Sequence, residues 1–291
     1  MNGYRLAVAV FAFGLATVCG AAGPKIPAVY TVPHELDMLV MAGHIQGACC
    51  SEQGIYLSHQ FGIEMIGWDG KRLRGVETPA HLGDVAFADG RIYGAFVLRG
   101  LKPGEPTGMI RVWDEKLNVL QERRGFEALD GAVVIGDTLY SGIDRWGGKG
   151  HPGAVIAAFD LKLEPKGIKE VDFGYWIHFG VQTMATEGKD LFCGNYGVTK
   201  NPTENPKGLN VSRITLPDYT VRESWNLPFS EGFGRVPASI AKRDNPVFFA
   251  VRAMGGNMQG WRKDPVNNPP RIRIDFYEYD GKGHFEDITS R

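Results

Sequence analysis

The sequence predicts an all-β fold, a five-bladed β-propeller of four-stranded antiparallel blades, on three observations. First, glycine and proline are frequent, with 39 and 17 residues among 291, and they interrupt almost every window long enough for a stable helix. Second, apolar residues alternate with a period of two inside short runs, which is typical of strands. Third, one strand pattern recurs five times along the chain. The hydrophobic content of 43% is enough to bury a large core.

The recurring pattern is a polar residue, a small-apolar run, a turn and an apolar-aromatic pair. It starts five times, at Gln46, Gly83, Asp130, Gln182 and Arg235. The fifth copy has a hairpin longer by three residues. After each copy an alternating strand ends in an acidic turn, and a fourth short strand follows. The acidic turn residues are Asp69, Asp114, Asp160, Asp218 and Asp280.

Four-stranded units of this kind cannot each bury both faces alone, so they stack on one another in a closed ring. We expect a single propeller domain over residues 23–291, with blades at about 44–80, 81–127, 128–177, 178–231 and 232–291. Residues 24–43 are expected to close the ring, with 26–32 pairing to the last blade and removing its open edge. A six-bladed ring that uses residues 24–43 and a two-sheet sandwich are the alternatives.

Residues 1–22 have the pattern of a secretory signal peptide. One arginine is followed by an apolar run over residues 6–18 and then by small residues, with cleavage expected near Ala21 or Ala22. The apolar run is shorter than the roughly 20 residues that span a bilayer, which disfavours a retained membrane anchor. A lipid anchor on Cys19 is a further alternative, although Val18 is large for the position before it. We therefore expect a secreted or periplasmic protein with no membrane partner after cleavage.

The charge balance makes nucleic acid an unsuitable partner. Lys and Arg total 32 against 33 for Asp and Glu, so no broad basic face is expected. Cys49, Cys50 and Cys193 remain after the leader, an odd number without metal-ligand spacing, and we interpret them as core residues. We expect a monomer whose partner is a small molecule or a glycan.

Histidines point to one end of the predicted ring. In a propeller, the entries to the innermost strands and the loops between second and third strands surround the same channel mouth. His44, His81 and His178 precede inner strands, while His59 and His151 lie in or beside the mouth loops. Five of the seven histidines therefore lie on one predicted rim.

The other polar residues of this rim are those that a sugar or a similar polar small ligand needs. Aromatic rings stack on the apolar face of a sugar, and amides and guanidinium groups hydrogen-bond its hydroxyl and carboxylate groups. The candidate ligand-binding residues are Gln46, Arg145, Trp146, Gln182, Asn195, Tyr196, Arg252 and Trp261.

The blade number and strand order resemble those of five-bladed glycosidases such as glycoside hydrolase family 43, over most of the chain. The resemblance implies three carboxylates on successive inner strands, among them an acid and a base across the sugar. The second and third blades offer Asp84 and Asp130 as candidate catalytic residues. The first blade departs from that pattern, because it presents Gln46.

A metal-assisted reaction is the second possibility. His44, His81 and His178, with Gln46 or Gln182 as an oxygen donor, are candidate ligands of a divalent metal ion. This ligand set resembles that of propeller-type oligogalacturonate lyases, which have seven blades. The resemblance implies an ion that neutralises a uronate carboxylate, with His59 or Arg235 as the candidate base. A hydrolase, a metal-assisted lyase and a non-catalytic recognition or scaffold propeller therefore all remain open.

Overall fold

The computed structural model describes residues 29–31, 45–60, 62–99, 101–145, 150–195, 205, 207–228, 232–254 and 271–289. Within these ranges the chain forms five antiparallel sheets, one for each blade, which confirms the predicted five-bladed β-propeller. The innermost strands contact one another in a cycle that returns from the fifth blade to the first. No helix in the described ranges is long and apolar enough to cross a membrane.

The first four blades each contain four strands in sequence order from the channel outward. Blade 1 consists of β2 (Ile45–Cys50), β3 (Gly54–His59), β4 (Gly62–Gly67) and β5 (Arg72–Glu77). Blade 2 consists of β6 (His81–Ala88), β7 (Arg91–Val97), β8 (Gly108–Asp114) and β9 (Val119–Phe126). Blade 3 consists of β10 (Leu129–Ile135), β11 (Thr138–Ile143), β12 (His151–Asp160) and β13 (Pro165–Ile177). Blade 4 consists of β14 (Thr183–Glu187), β15 (Asp190–Gly194), β16 (Val211–Thr215) and β17 (Thr220–Trp225).

Blade 5 joins the start of the chain to its end. Its strands are β18 (Gly232–Arg235), β19 (Val247–Met254), β20 (Arg271–Tyr279), β21 (Phe285–Asp287) and β1 (Val29–Thr31). Strand β1 pairs with the first residues of β20 and β21 with its last residues, both antiparallel. Two short strands from opposite ends of the sequence thus share the outer edge of β20, which leaves less of that edge unpaired.

The fifth repeat differs from the sequence prediction. The pattern placed the start of the last inner strand at Arg235, whereas β18 ends at that residue. The connection to β19 contains a one-turn helix, α1 (Ala238–Ala241), preceded by Pro237. Proline has no backbone N–H to donate to a strand ladder, and the two alanines of α1 favour a helical turn. The sequence pattern therefore started the inner strand of this blade three residues too late, at Arg235 instead of Gly232.

The recurring acidic residues have a local structural cause. The carboxylate Oδ1 of Asp114 accepts the backbone N–H groups of Lys116 at 2.9 Å and Asn118 at 2.8 Å. Asp160 and Asp280 make the same pair of bonds to the residues two and four positions later. Each aspartate therefore closes the turn between the third and fourth strands of its blade.

The core lies between neighbouring blades. Between blades 4 and 5, Phe192, Phe233 and Phe248 are fully buried, and the rings of Phe192 and Phe248 have centroids 4.8 Å apart. The thiols of Cys50 and Cys193 are buried and free, and Cys49 is free and half-buried. The burial of Cys50 and Cys193 agrees with their interpretation as core residues.

Candidate functional site

Three inner strands are irregular at the end where they enter the ring, which we call the mouth of the channel. The strand register shifts between Ile45 and Gly47 in β2, between Leu82 and Val85 in β6, and between Leu129 and Ala132 in β10. A β-bulge re-aims the side chains of the residues that it contains, and bulges are common beside functional sites. The bulged residues include Gln46, Asp84 and Asp130, all of which were candidate site residues.

Asp84 lies at the centre of the ring and is fully buried. Its Oδ1 accepts the backbone N–H of Ala48 at 3.0 Å, from blade 1. Its Oδ2 accepts the N–H groups of Ala132 at 3.2 Å and Met184 at 2.8 Å, from blades 3 and 4. Together with the N–H of Val85 in its own strand, one carboxylate binds backbone groups from four of the five blades.

These surroundings suit a structural carboxylate. Burial raises the pKa of Asp84 well above its ordinary range, whereas the N–H donors of Ala132, Met184 and Val85 lower it. Gly47 allows the close approach of blade 2, because a Cβ atom at that position would lie 2.0 Å from Asp84 Oδ1. Backbone amides bind both carboxylate oxygens, which suits a role in joining the blades, and the assignment of Asp84 as a catalytic residue stays a prediction.

Asp130 is the second buried carboxyl group, with only 5% of its surface exposed. Gln182 Nε2 donates a long hydrogen bond of 3.4 Å to Asp130 Oδ2, across the junction of blades 3 and 4. Among the described residues, Asp130 Oδ1 has no hydrogen-bond partner. Asp130 thus differs from Asp84, because its Oδ1 is buried against Gly83 without a hydrogen-bond partner among the described residues.

The environment of Asp130 raises its pKa to about 8. Burial is the largest cause, and the nearby carboxylate of Asp144 raises the pKa further. The hydrogen bond from Gln182 and the positive charge of Arg99 lower it. Near neutral pH this carboxyl group is therefore mostly protonated, as a general acid must be before it donates its proton.

A depression in the mouth face lies beside Asp144, between blades 2 and 3. It has a volume of about 390 Å³ and is lined by residues 104–107, 125–128, 144 and 145. Arg145 forms part of its wall and binds both oxygens of Glu127, at 2.9 and 3.0 Å, and Glu170 at 2.9 Å. The volume is within the range of small-molecule sites, roughly 300–1,000 Å³. Arg145 therefore borders the depression with its charge already neutralised by two glutamates.

The histidines lie in separate surroundings. The Nδ1 atom of His81 is 2.8 Å from Gln60 Nε2, and the ring of His178 lies beside that of Phe179. In the described ranges, no three His, Cys, Asp or Glu side chains are grouped as metal ligands. His44 lies outside the described residues, so the metal site of His44, His81 and His178 stays a prediction.

His59 is buried inside blade 1 and faces Glu64. His59 Nε2 is 3.5 Å from Glu64 Oε2, and Arg72 Nε is 2.8 Å from the other oxygen of that carboxylate. A general base must reach the proton that it removes. The structure places His59 at the mouth end of β3, opposite Ile45, with its side chain buried beside Glu64, and its role as a base stays a prediction.

Arg235 lies at the far end of the channel, opposite the mouth. It ends β18 and forms an ion pair with Glu187 at the end of β14. It also lines a cavity of about 80 Å³ with residues 48–50, 85–87, 132–134 and 184–186 of the other four inner strands. The prediction that Arg235 lies on the rim was wrong, because the last inner strand starts at Gly232.

The remaining candidates are divided between the mouth and the blades. Gln46 is buried in the bulge of β2, and Asn195 is buried with its Nδ2 donating to the Asn210 carbonyl at 3.3 Å. Arg252 pairs with Asp275 in blade 5. Trp146, Tyr196 and Trp261 lie outside the described residues. Sequence reasoning missed Arg99 as a neighbour of Asp130, and its position just after β7, at the mouth end of the second strand, was the one available signal.

Comparisons with known proteins support the fold. No family profile and no curated protein matches the sequence. Among solved structures, the chain is similar to glutaminyl cyclase of Myxococcus xanthus, with a TM-score of 0.55 and 12% identity over 88% of this chain and 97% of that one. It is also similar to a luciferin-regenerating enzyme, with a TM-score of 0.49 and 10% identity over 90% and 80% of the two chains. At 12% identity the likeness to the glutaminyl cyclase shows the fold alone.

Proposed function

We propose that this protein binds a carbohydrate or a similar polar small ligand at the mouth of its central channel, and that Asp130 is the acid–base group acting on it. The observation that carries the proposal is the Asp130 carboxyl group itself. It is buried at a strand bulge, its pKa is raised to about 8, and its Oδ1 has no partner in the described ranges. A group that titrates near the working pH is an effective proton donor and acceptor.

The groups around Asp130 suit a ligand that is rich in hydroxyls. The amide of Gln182 contacts Asp130, the amide of Gln46 occupies the equivalent bulge of blade 1, and Asp144 borders the depression of the mouth face. Amides and carboxyl groups form directed hydrogen bonds with hydroxyl groups and so fix the orientation of a sugar. These residue types support a carbohydrate over an apolar ligand.

Two neighbouring carboxyl groups favour catalysis over recognition alone. Asp144 is near enough to raise the pKa of Asp130, so one group holds its proton in the presence of another acidic group. Glycoside hydrolysis uses such a pair, with the protonated member donating to the leaving oxygen and the other acting as base or nucleophile. Asp130 is the proposed acid and Asp144 the proposed partner.

The proposal includes a location for the protein. The signal-like pattern of residues 1–22 supports export, so the protein would bind its ligand in the periplasm or outside the cell. The near-zero net charge, with no excess of Lys and Arg, supports a partner other than nucleic acid.

The test is a screen of neutral and acidic oligosaccharides for binding and cleavage, followed by the Asp130→Asn variant. An amide cannot donate a proton to a leaving group, so we expect kcat to fall at least ~100-fold, with a smaller change in binding. The Asp69→Asn variant is the matched control, because Asp69 is an exposed turn carboxylate. Full activity in the Asp130→Asn variant, or a wild-type protein that binds no glycan, would contradict the proposal.

A further inference from the structure

Two arginines face each other on neighbouring strands of blade 5. Arg252 in β19 and Arg273 in β20 are directly opposite in the antiparallel register, so their side chains share one face of the sheet. Like charges in this arrangement repel and destabilise a strand pair. The arrangement therefore needs negative charge from elsewhere.

One buried carboxylate supplies part of that charge. Asp275 has 1% of its surface exposed and lies two residues after Arg273, on the same face of β20. Its Oδ2 is 3.0 Å from Arg252 Nε, and its Oδ1 accepts a hydrogen bond from Arg273 Nε. Asp275 is the carboxylate in direct contact with both guanidinium groups, and the charge of Asp287 attracts both arginines from farther away.

Both guanidinium groups are partly exposed. Each arginine side chain is 34% exposed, and within the described residues no Nη atom of either donates a hydrogen bond to a carboxylate. The nearest further carboxylate is that of Asp287, whose Oδ1 accepts bonds from the Thr289 N–H at 2.9 Å and Oγ1 at 2.6 Å. Guanidinium forks bind carboxylates and phosphates in a bidentate manner.

A buried tyrosine adds an independent sign of a missing partner. Tyr277 has 4% of its surface exposed, and its hydroxyl has no hydrogen-bond partner among the described residues. It lies two residues beyond Asp275, again on the same face of β20. Burial and then the charges of Asp275 and Asp287 raise its pKa to about 12, while the charges of Arg252 and Arg273 lower it, so the hydroxyl stays protonated. A buried hydroxyl left without a partner is costly, and a ligand oxygen would satisfy it.

We propose that Arg252, Arg273 and Tyr277 form a binding site for an oxyanion, the carboxylate or phosphate group of a small molecule, with Asp275 holding the two arginines in place. The site is separate from Asp130, which lies on the inner strand of blade 3. Anion binding at this site does not depend on the proposed function. If the protein also binds sugars as proposed, the site would favour acidic sugars over neutral ones, and that part rests on the proposed function.

Isothermal titration of the full chain at low ionic strength, with inorganic phosphate and with acetate as separate probes, tests this site. We expect the wild type to bind at least one probe with a millimolar or lower Kd, and the tighter probe identifies phosphate or carboxylate as the preferred group. Arg273→Gln is expected to weaken binding at least tenfold and Tyr277→Phe about threefold, since each removes donors to the anion. Thermal unfolding of each variant separates lost binding from lost folding, and Tyr277→Phe keeps the shape of the ring.

The matched control is Arg243→Gln. Arg243 is one-third exposed and pairs with Glu278 of the same blade at 3.1 Å, so it resembles Arg273 in exposure and in having an acidic partner. Equal affinities of Arg273→Gln and Arg243→Gln for the probes would overturn the inference. So would the absence of wild-type binding at about 10 mM probe. Asp130→Asn is expected to bind the probes normally, so a failure of the catalytic proposal and a failure of this site give different results.

Discussion

Asp84 and Asp130 are buried carboxyl groups on neighbouring inner strands, yet their hydrogen-bond partners give them different chemistry. Asp84 accepts backbone N–H groups on both oxygens, which stabilises a fixed structural role. Asp130 receives one long bond from Gln182, and its other oxygen is buried without a hydrogen-bond partner among the described residues. Residue type and strand position are the same for the two aspartates, so a sequence pattern treats them as equals. Their difference depends on which strand each one faces.

The raised pKa of Asp130 predicts a specific pH dependence of stability. Its folded-state pKa of about 8 lies above the ordinary 3.8, so between these values the folded protein holds a proton that the unfolded chain has released. This contribution to the free energy of unfolding is complete below about pH 4 and is lost as the pH rises through about 8. In the Asp130→Asn variant it is absent. We expect urea denaturation to show that the stability of the variant declines less than that of the wild type across that window, by up to about 6 kcal/mol. Identical pH profiles of the two proteins would contradict the shift.

At the scale of elements, the inner strands are joined by side chains as well as by packing. Thr183 of β14 is fully buried, its Oγ1 accepts the Phe233 N–H at 3.0 Å, and it donates to the Phe233 carbonyl at 3.2 Å. This pair links blade 4 to the strand whose start the sequence pattern misplaced. The pattern failed there because the fifth inner strand is short and the apolar residues after it form a helical turn. Local periodicity cannot distinguish these two outcomes within four residues.

Removal of the Thr183 hydroxyl tests the link between blades 4 and 5. Thr183→Val keeps the shape of the side chain and leaves both backbone groups of Phe233 without this partner, so we expect a loss of about 1–3 kcal/mol in the free energy of unfolding. Thr183→Ser retains the hydroxyl and is the control, with most of the wild-type stability expected. Chemical denaturation of the three proteins measures the difference. A Val variant as stable as the Ser variant would show that the hydrogen bonds of Thr183 to Phe233 do not stabilise the fold.

At the scale of the whole molecule, Asp84 acts on the ring because its carboxylate binds blades 1, 3 and 4 as well as its own. The Asp84→Asn change replaces one accepting oxygen by an NH2 group that faces backbone donors. We expect a loss of about 2–4 kcal/mol in the free energy of unfolding, or failure of the ring to close, as measured by denaturation and hydrogen exchange. Asp69→Asn, in an exposed turn, should change stability little. Equal stability of the two variants would show that the ring does not depend on Asp84.

The sequence by itself determined the architecture, the number of blades and the positions of most strands and turns, because alternation, glycine-rich hairpins and turn-closing aspartates are patterns among neighbouring residues. It also indicated that Gln46, Asp84, Asp130 and Gln182 enter the channel at one end. Only the tertiary structure decided which of them act together. The partners of Asp84 lie 36, 48 and 100 residues away, and Gln182 is 52 residues from Asp130. Burial, the pKa of a carboxyl group and the availability of an oxygen all depend on such distant neighbours, and these distances exist only once the ring has closed.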